Sequence, residues 1–188
     1  MSPQRIDYRD SPEAPRASSL VPSVNVIVVN DAGEILLIRR TDNGNWAVLG
    51  GAIDLGESVA QAAVRETLEE SGIDCAITGI VGMYSDPKHV ILYTSNGEAR
   101  QEFSIVLTAR PLGGQPTPSS ETNQVRWVPE ADLQLHDGPV DANAHQRLLG
   151  TQRVTRDHLI PHTPAKQCLH PTGGRGLSYT GVNCYPAT

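Results

Sequence analysis

Apolar and polar positions change period several times along this chain, and each change marks an element. Val24-Asn25-Val26-Ile27-Val28-Val29 is β-branched and almost continuously apolar, between Pro22 and the turn sequence Asn30-Asp31-Ala32-Gly33. That pattern predicts a buried strand. Glu34-Ile35-Leu36-Leu37-Ile38-Arg39-Arg40 follows and is expected to return as its hairpin partner. A turn cluster at 41–45 leads to a short strand at Trp46-Ala47-Val48. Gly50-Gly51 then opens a loop that runs into a helix expected at 58–71, with Gly72 at its C-terminal stop. Strands are expected at 76–84, 90–94 and 102–109, the last two joined across Asn96-Gly97. A Pro/Gly/Ser loop covers 111–120, a final strand 125–128 and a short helix 142–149. Hairpins around one strong central helix predict the α/β class with a mixed sheet.

The flanks lack such periods. Residues 1–19 carry Pro3, Pro12 and Pro15 among charges and serines, which predicts a mobile or loosely docked arm. Residues 20–150 form the expected domain. Beyond Gly150, the segment 151–188 is punctuated by Pro161, Pro164, Pro171 and Gly173-Gly174 and reads as an irregular, poorly ordered tail. His158, His162, Cys168 and His170 lie there, but Pro161 interrupts the helix that would align the first pair, and no close cysteine pair accompanies them.

Composition narrows the function. A length of 188 residues predicts one domain. Residues 1–150 hold 11 basic and 20 acidic side chains, whereas 151–188 hold 4 and 1. An acidic body argues against a grip on a nucleic-acid backbone, which needs a basic stripe. It leaves room for a small phosphorylated ligand held through a divalent cation. No run approaches the roughly 20 apolar residues of a membrane span, and the first residues carry no apolar signal-like core. Three cysteines, Cys75, Cys168 and Cys184, are sparse and odd in number, which points to a reducing compartment and a cytoplasmic location.

The chemistry concentrates between Gly51 and Ile73. Glu66, Glu69 and Glu70 fall within an arc of about 100° on the expected helix. Carboxylates crowded on one helical face repel by a few tenths of a kcal/mol per pair or more. A divalent cation removes that penalty, and carboxylate oxygens are the ligands Mg²⁺ prefers. The opposite arc, Ala60, Val64, Thr67, Leu68 and Ser71, is expected to pack on the sheet. Ala62 and Ala63 lie near the acidic face, where small side chains would admit a substrate. Glu57 sits at the helix start, and Arg65 stands beside the acids, able to hold a carboxylate through two hydrogen bonds.

Gly51, five residues, Glu57, seven residues, then Arg65-Glu66-Thr67-Leu68-Glu69-Glu70-Ser71-Gly72-Ile73 resembles the Nudix box, G-x5-E-x7-R-E-U-x-E-E-x-G-U. Agreement of all its fixed polar and glycine positions by chance is on the order of 10⁻⁶. Thr67 stands where the box has an aliphatic residue, and Leu49 where many relatives carry proline. The resemblance implies an α/β/α sandwich with a mixed β-sheet and a catalytic loop–helix–loop. It implies hydrolysis of a nucleoside diphosphate linked to another moiety, with Mg²⁺ as cofactor and Mn²⁺ as a substitute. Glu66, Glu69, Glu70 and the Gly50 carbonyl would be the metal ligands, with Arg65 and Glu57 as the brace. The general base is Glu66 or Glu121 of the loop before the last strand.

Substrate contacts lie outside the box. Arg39 and Arg40 end a strand that flanks the site, and alternation points one of them inward. Trp46, Tyr84, Tyr93 and Phe103 are the aromatics able to stack on a base. Pro87, at a spacing after the box that accompanies ADP-ribose hydrolysis in the family, tilts the reading toward ADP-ribose or a nucleotide sugar. The alternatives are an ordinary or oxidised nucleoside triphosphate, or a Nudix-fold sensor that binds a nucleotide without turnover. A sensor would be expected to lose box residues, and this chain keeps them. The expected partner is therefore a small nucleotide diphosphate, with no nucleic acid or membrane; a homodimer is left open.

Overall fold

Two strands buried on both faces organise the computed structural model, which describes residues 5–133. The continuous apolar runs become β3 (Ser23–Val28) and β4 (Glu34–Arg40). Val24, Val26, Val28, Leu36 and Ile38 pack in one core cluster with Leu49, Ala62, Ala63, Ile73 and Leu107. Their neighbours Ile27, Ile35 and Leu37 pack in a second with Trp46, Val106 and Val128. Burial on both sides is why neither strand shows a polar alternation.

The strands form two sheets. In the larger, β1 (Arg5–Arg9), β6 (Ile73–Tyr93) and β7 (Glu98–Gly114) are antiparallel neighbours. The short β2 (Ser19–Leu20) and then β3 run parallel to β7, at Arg100–Gln101 and Ser104–Ala109. The smaller sheet is antiparallel, in the order β5 (Trp46–Ala47), β4, β8 (Thr122–Pro129). The expected α/β class with a mixed sheet is what the fold shows. Among the described residues no helix is long and apolar enough to cross a membrane.

Four expectations are corrected. First, β3 and β4 are not a hairpin: they share only the bridge Val29–Ile35 and enter different sheets. β8 occupies one edge of β4 along its whole length, and β5 takes Ile38 and Arg39 on the other. Second, the expected loose arm contains β1, with Arg5 opposite Tyr93 and Arg9 opposite His89. Its alternation of charged residues with Ile6 and Tyr8 spans only five residues, too short to stand out among the prolines and serines around it. Third, the two strands expected at 76–84 and 90–94 are one strand, β6, whose register shifts between Asp86 and Val90. Pro87 sits in that irregularity, a place where a residue without an N–H costs no ladder bond.

Fourth, the helix presents a different face. α1 (Val59–Ser71) is capped by Ser58, whose side chain accepts from Gln61 while Gln61 reciprocates, and Gly72 ends it. Its buried residues are Ala62, Ala63, Thr67, Glu70 and Ser71, whereas Leu68 is 49 % exposed. Small side chains let the helix approach the sheet closely, so Ala62 and Ala63 belong to the core rather than to a substrate space. The hydroxyls of Thr67 and Ser71 are satisfied within the helix, by the carbonyls of Ala63 (2.8 Å) and Thr67 (2.6 Å). A 3₁₀ turn at Glu130–Asp132 follows β8. The helix expected at 142–149 and the tail at 151–188 lie outside the described residues.

Candidate active site

The loop before α1 is placed by β3. Val24 N–H donates to the Gly51 carbonyl (2.9 Å) and Val26 N–H to the Leu49 carbonyl (2.8 Å), so Gly50 is held against a core strand. A Cβ on Gly50 would collide with the Val24 carbonyl, and one on Gly51 with the Glu66 carboxylate. Glycine is therefore required at position 50, where the obstacle is backbone, whereas at position 51 the Glu66 side chain would have to move aside.

Arg65 ties this loop to the helix. Its Nε and Nη2 donate to the two oxygens of Glu57 at 2.7 and 2.8 Å. Nη1 donates to Glu66 (2.8 Å) and Glu69 (3.1 Å), and Nη2 also reaches the Ala52 carbonyl (3.2 Å). Hydrogen bonding to Arg65 lowers the Glu57 carboxyl to about 2. The same carboxylates, with Glu57 foremost, raise the Arg65 guanidinium above its usual range. Sequence reasoning expected a brace between Glu57 and Arg65; the structure adds both helix acids to it.

Glu70 is the outlier of the site. It is 4 % exposed and accepts a hydrogen bond from Gly50 N–H at 2.8 Å. Burial pushes its carboxyl up to about 8; the Gly50 bond opposes that, while Glu66 and Glu121 add to it. Glu66 is also raised, by burial first and by Glu69 and Glu121, against the pull of Arg65. Glu121 comes from the loop before β8: Thr41 holds its carbonyl through N–H (2.9 Å) and hydroxyl (3.0 Å). The next residue, Thr122, donates its hydroxyl to the Glu70 carbonyl (2.9 Å). Glu66, Glu70 and Glu121 thus share one electrostatic neighbourhood, in which Glu66 and Glu121 oppose ionisation of Glu70 and Arg40 favours it.

That neighbourhood suits a divalent cation. The donors are all oxygens, as Mg²⁺ requires, and Glu70 is buried at an energetic cost that a cation would relieve. Among the described residues no three acidic, His or Cys side chains already stand at metal-ligand spacing. Arg65 holds Glu66 and Glu69 in their present positions, so gathering a ligand shell involves side-chain movement on an otherwise fixed backbone.

A cleft of roughly 730 Å³, including its open mouth, runs from Gly50, Gly51 and Ala52 across the larger sheet. Arg40 lines it, gripped by Asp42 through Nε (3.0 Å) and Nη2 (2.7 Å). Arg39, the other predicted arginine, is absent from the lining; its Nε donates to the Gly44 carbonyl (3.1 Å). Trp46 is 2 % exposed in the core, with Arg126 stacked 5.5 Å from its ring, so it is corrected from a stacking residue to a packing one. Tyr84 packs against the same core cluster. Tyr93 and Phe103 line the cleft, as do Arg5, Arg100 and Glu102, which sequence reasoning passed over. A period-two pattern at Arg5 and Asp7 was the available signal, hidden by its brevity.

The chain is similar to known proteins over most of its described length. The family described as NUDIX domain matches residues 19–148. A protein of Methanocaldococcus jannaschii named ADP-ribose pyrophosphatase is 38 % identical over 130 residues, covering 65 % of this chain and 67 % of its own. A MutT-like protein of Streptomyces ambofaciens is 33 % identical over 106 residues, covering 56 % of this chain and 62 % of its own. The chain therefore spans about two thirds of the length of these relatives. Among solved structures, an ADP-ribose pyrophosphatase from Streptococcus suis superposes with a TM-score of 0.56 at 22 % identity, covering 73 % of this chain and 93 % of that one.

Proposed function

Since the chain belongs to the Nudix family, we propose that it is a Mg²⁺-dependent hydrolase of the pyrophosphate bond in a nucleoside diphosphate linked to another moiety, with ADP-ribose or a nucleotide sugar as the favoured class. The observation that carries the reading is the buried Glu70, bonded to Gly50 of an arginine-lined cleft and beside a brace that fixes Glu66 and Glu69. The name of the Methanocaldococcus relative supports the substrate class.

In this reading Glu66, Glu69, Glu70 and the Gly50 carbonyl hold the cation. When bound, it neutralises phosphate oxygens and makes a water molecule a stronger nucleophile at neutral pH. The chain's own groups do the rest. Arg65 and Glu57 tie the loop to the helix, which keeps the backbone that carries Gly50 and the helix acids together. Arg40 meets a phosphate at the cleft wall. The water oxygen attacks one phosphorus, the bond from that phosphorus to the bridging oxygen breaks, and the second phosphate departs with that oxygen. The water proton passes to a carboxylate. Arg65 already engages one oxygen of Glu66, which makes Glu66 the better ligand. Glu121, exposed on the loop tied to Glu70, is the proton acceptor of this reading.

The test is product identification by mass spectrometry after incubation with Mg²⁺ and a panel of ADP-ribose, nucleotide sugars, triphosphates and dinucleoside polyphosphates. AMP and ribose phosphate from ADP-ribose is the expected result. A monophosphate with pyrophosphate would move the substrate to the triphosphates. No turnover of any member, with Mn²⁺ also tried, sinks the reading in favour of a nucleotide-binding protein.

A further inference from the structure

Arg40 and Arg5 reach the same cleft from different sheets, and each is held in the same way. The Nε and Nη2 atoms of Arg5 donate to Asp7 at 2.9 and 2.8 Å, as those of Arg40 do to Asp42 at 3.0 and 2.7 Å. In an extended strand residues i and i+2 share a face, so Asp7 orients the plane of the Arg5 guanidinium from within β1 itself. The register places Arg5 opposite Tyr93 and Asp7 opposite Ile91, which in turn faces Arg100. These pairs therefore share the face of the sheet that lines the cleft.

The Arg5 tether is itself anchored. Asp7 Oδ1 lies 3.1 Å from Nε2 of the buried His89, whose Nδ1 lies 3.5 Å from Glu102 Oε2. Ser104 donates to the other Glu102 oxygen at 2.6 Å, and Ser23 of β3 meets Ser104 at 2.8 Å. A polar chain thus leads from the cleft wall through four strands, β1, β6, β7 and β3, into the sheet. Burying such groups is unfavourable unless each is paired, so a strand whose sole task was to cover an edge would gain more from apolar residues. The arrangement makes sense if the guanidinium at its end must point one way.

Two guanidiniums in one cleft repel, and Arg5 is among the charges that oppose Arg40. An anion between them turns that repulsion into attraction, and planar forks match pairs of phosphate oxygens. At the far wall Arg100 stacks 4.6 Å from the Tyr93 ring, and its buried Nε has no hydrogen-bond partner among the described residues. The cleft therefore offers donors well beyond the carboxylate centre.

We propose that Arg5, carried into the cleft by the first strand, is a substrate-binding residue that clamps the phosphates of the diphosphate together with Arg40. This rests on the hydrolase reading for its substrate class.

The test is calorimetric binding of α,β-methylene-ADP, which cannot be cleaved between its phosphates, to the full chain in Mg²⁺. Wild type is compared with Arg5→Ala and Arg5→Lys, with melting temperatures measured in parallel. Loss of a charge-assisted fork predicts an affinity weaker by about tenfold or more for Arg5→Ala. Equal affinity with a native-like melt would overturn the inference. If Arg5→Ala melts much earlier, Arg5→Lys decides, since it keeps the charge and loses the fork: a loss of about threefold or more supports the clamp, and wild-type affinity overturns it. The panel assay separates this from the parent reading. Arg5-dependent binding without turnover would fail the hydrolase and keep the clamp; turnover with Arg5-independent binding would do the reverse; no binding by wild type overturns the clamp.

Discussion

Replacing Glu70 by Gln should make the metal-free protein more stable while removing its activity. The carboxyl is 4 % exposed and its pKa is raised from 4.5 to about 8. For an acid with a raised folded pKa, the fold carries no penalty below the unfolded value; the penalty grows as pH rises through the interval between the two. At pH 7 the folded chain retains a proton that the unfolded chain releases, a linkage that costs the fold about 3 kcal/mol. Gln keeps an oxygen for Gly50 N–H and carries no charge, but its amide hydrogens need partners in a buried place, a cost of about 1 kcal/mol. The net gain is about 2 kcal/mol, equivalent to roughly 4–8 °C in melting temperature for a chain of this size. The assay is thermal unfolding in EDTA from pH 5 to 9, for both proteins. Wild type should lose stability as pH rises toward 8, and Glu70→Gln should vary far less. Added Mg²⁺ should raise the wild-type midpoint and leave the variant nearly unmoved, with turnover lower by on the order of 100-fold or more. A variant that melts at or below wild type at every pH in EDTA refutes the reasoning.

Other substitutions separate site from scaffold. Gly51→Ala places a Cβ against the Glu66 carboxylate; because the far end of that side chain can swing aside, stability should change by less than about 1 kcal/mol while kcat falls by on the order of 10–100-fold, and an unchanged kcat would count against Glu66. Trp46→Ala should destabilise by about 3–5 kcal/mol with KM of the folded fraction unaltered; a raised KM at full stability would restore Trp46 to the substrate. Burial alone would raise the Asp7 carboxyl, but hydrogen bonds from His89 and Arg5 outweigh it and hold the group well below its usual range. Its stabilising contribution is therefore present above pH 4 and lost as pH falls further, so urea unfolding of wild type and Asp7→Asn should converge in strong acid; a constant gap from pH 7 to pH 2 would disprove that.

The catalytic loop and helix were legible because their residues sit at fixed spacings within one short segment. Gly51, Glu57, Arg65 and the three glutamates need only a turn and 3.6 residues per turn to meet. The cleft was not legible, since its lining comes from β1, β3, β4, β6 and β7, and register between distant strands is not written in local periodicity. Alternation said that one of Arg39 and Arg40 faces inward; which one depends on the partners of β4, and β8 and β5 decide it. The buried face of α1 differs from the apolar arc because Glu70, polar by type, is buried against Gly50. Trp46 shows the converse: an aromatic near a site is drawn into the core when a neighbouring strand offers a flat apolar surface.

The bond from Gly50 N–H to the Glu70 carboxylate has a practical consequence for spectroscopy. An amide proton held by a carboxylate resonates at a position set by that carboxylate's charge. The Gly50 cross-peak should therefore move when Glu70 gains a proton and move again when a cation takes its place. One backbone nucleus, untouched by mutation or label at the side chain, would then track ionisation of Glu70 and its occupation by a cation, in solution and without any substrate.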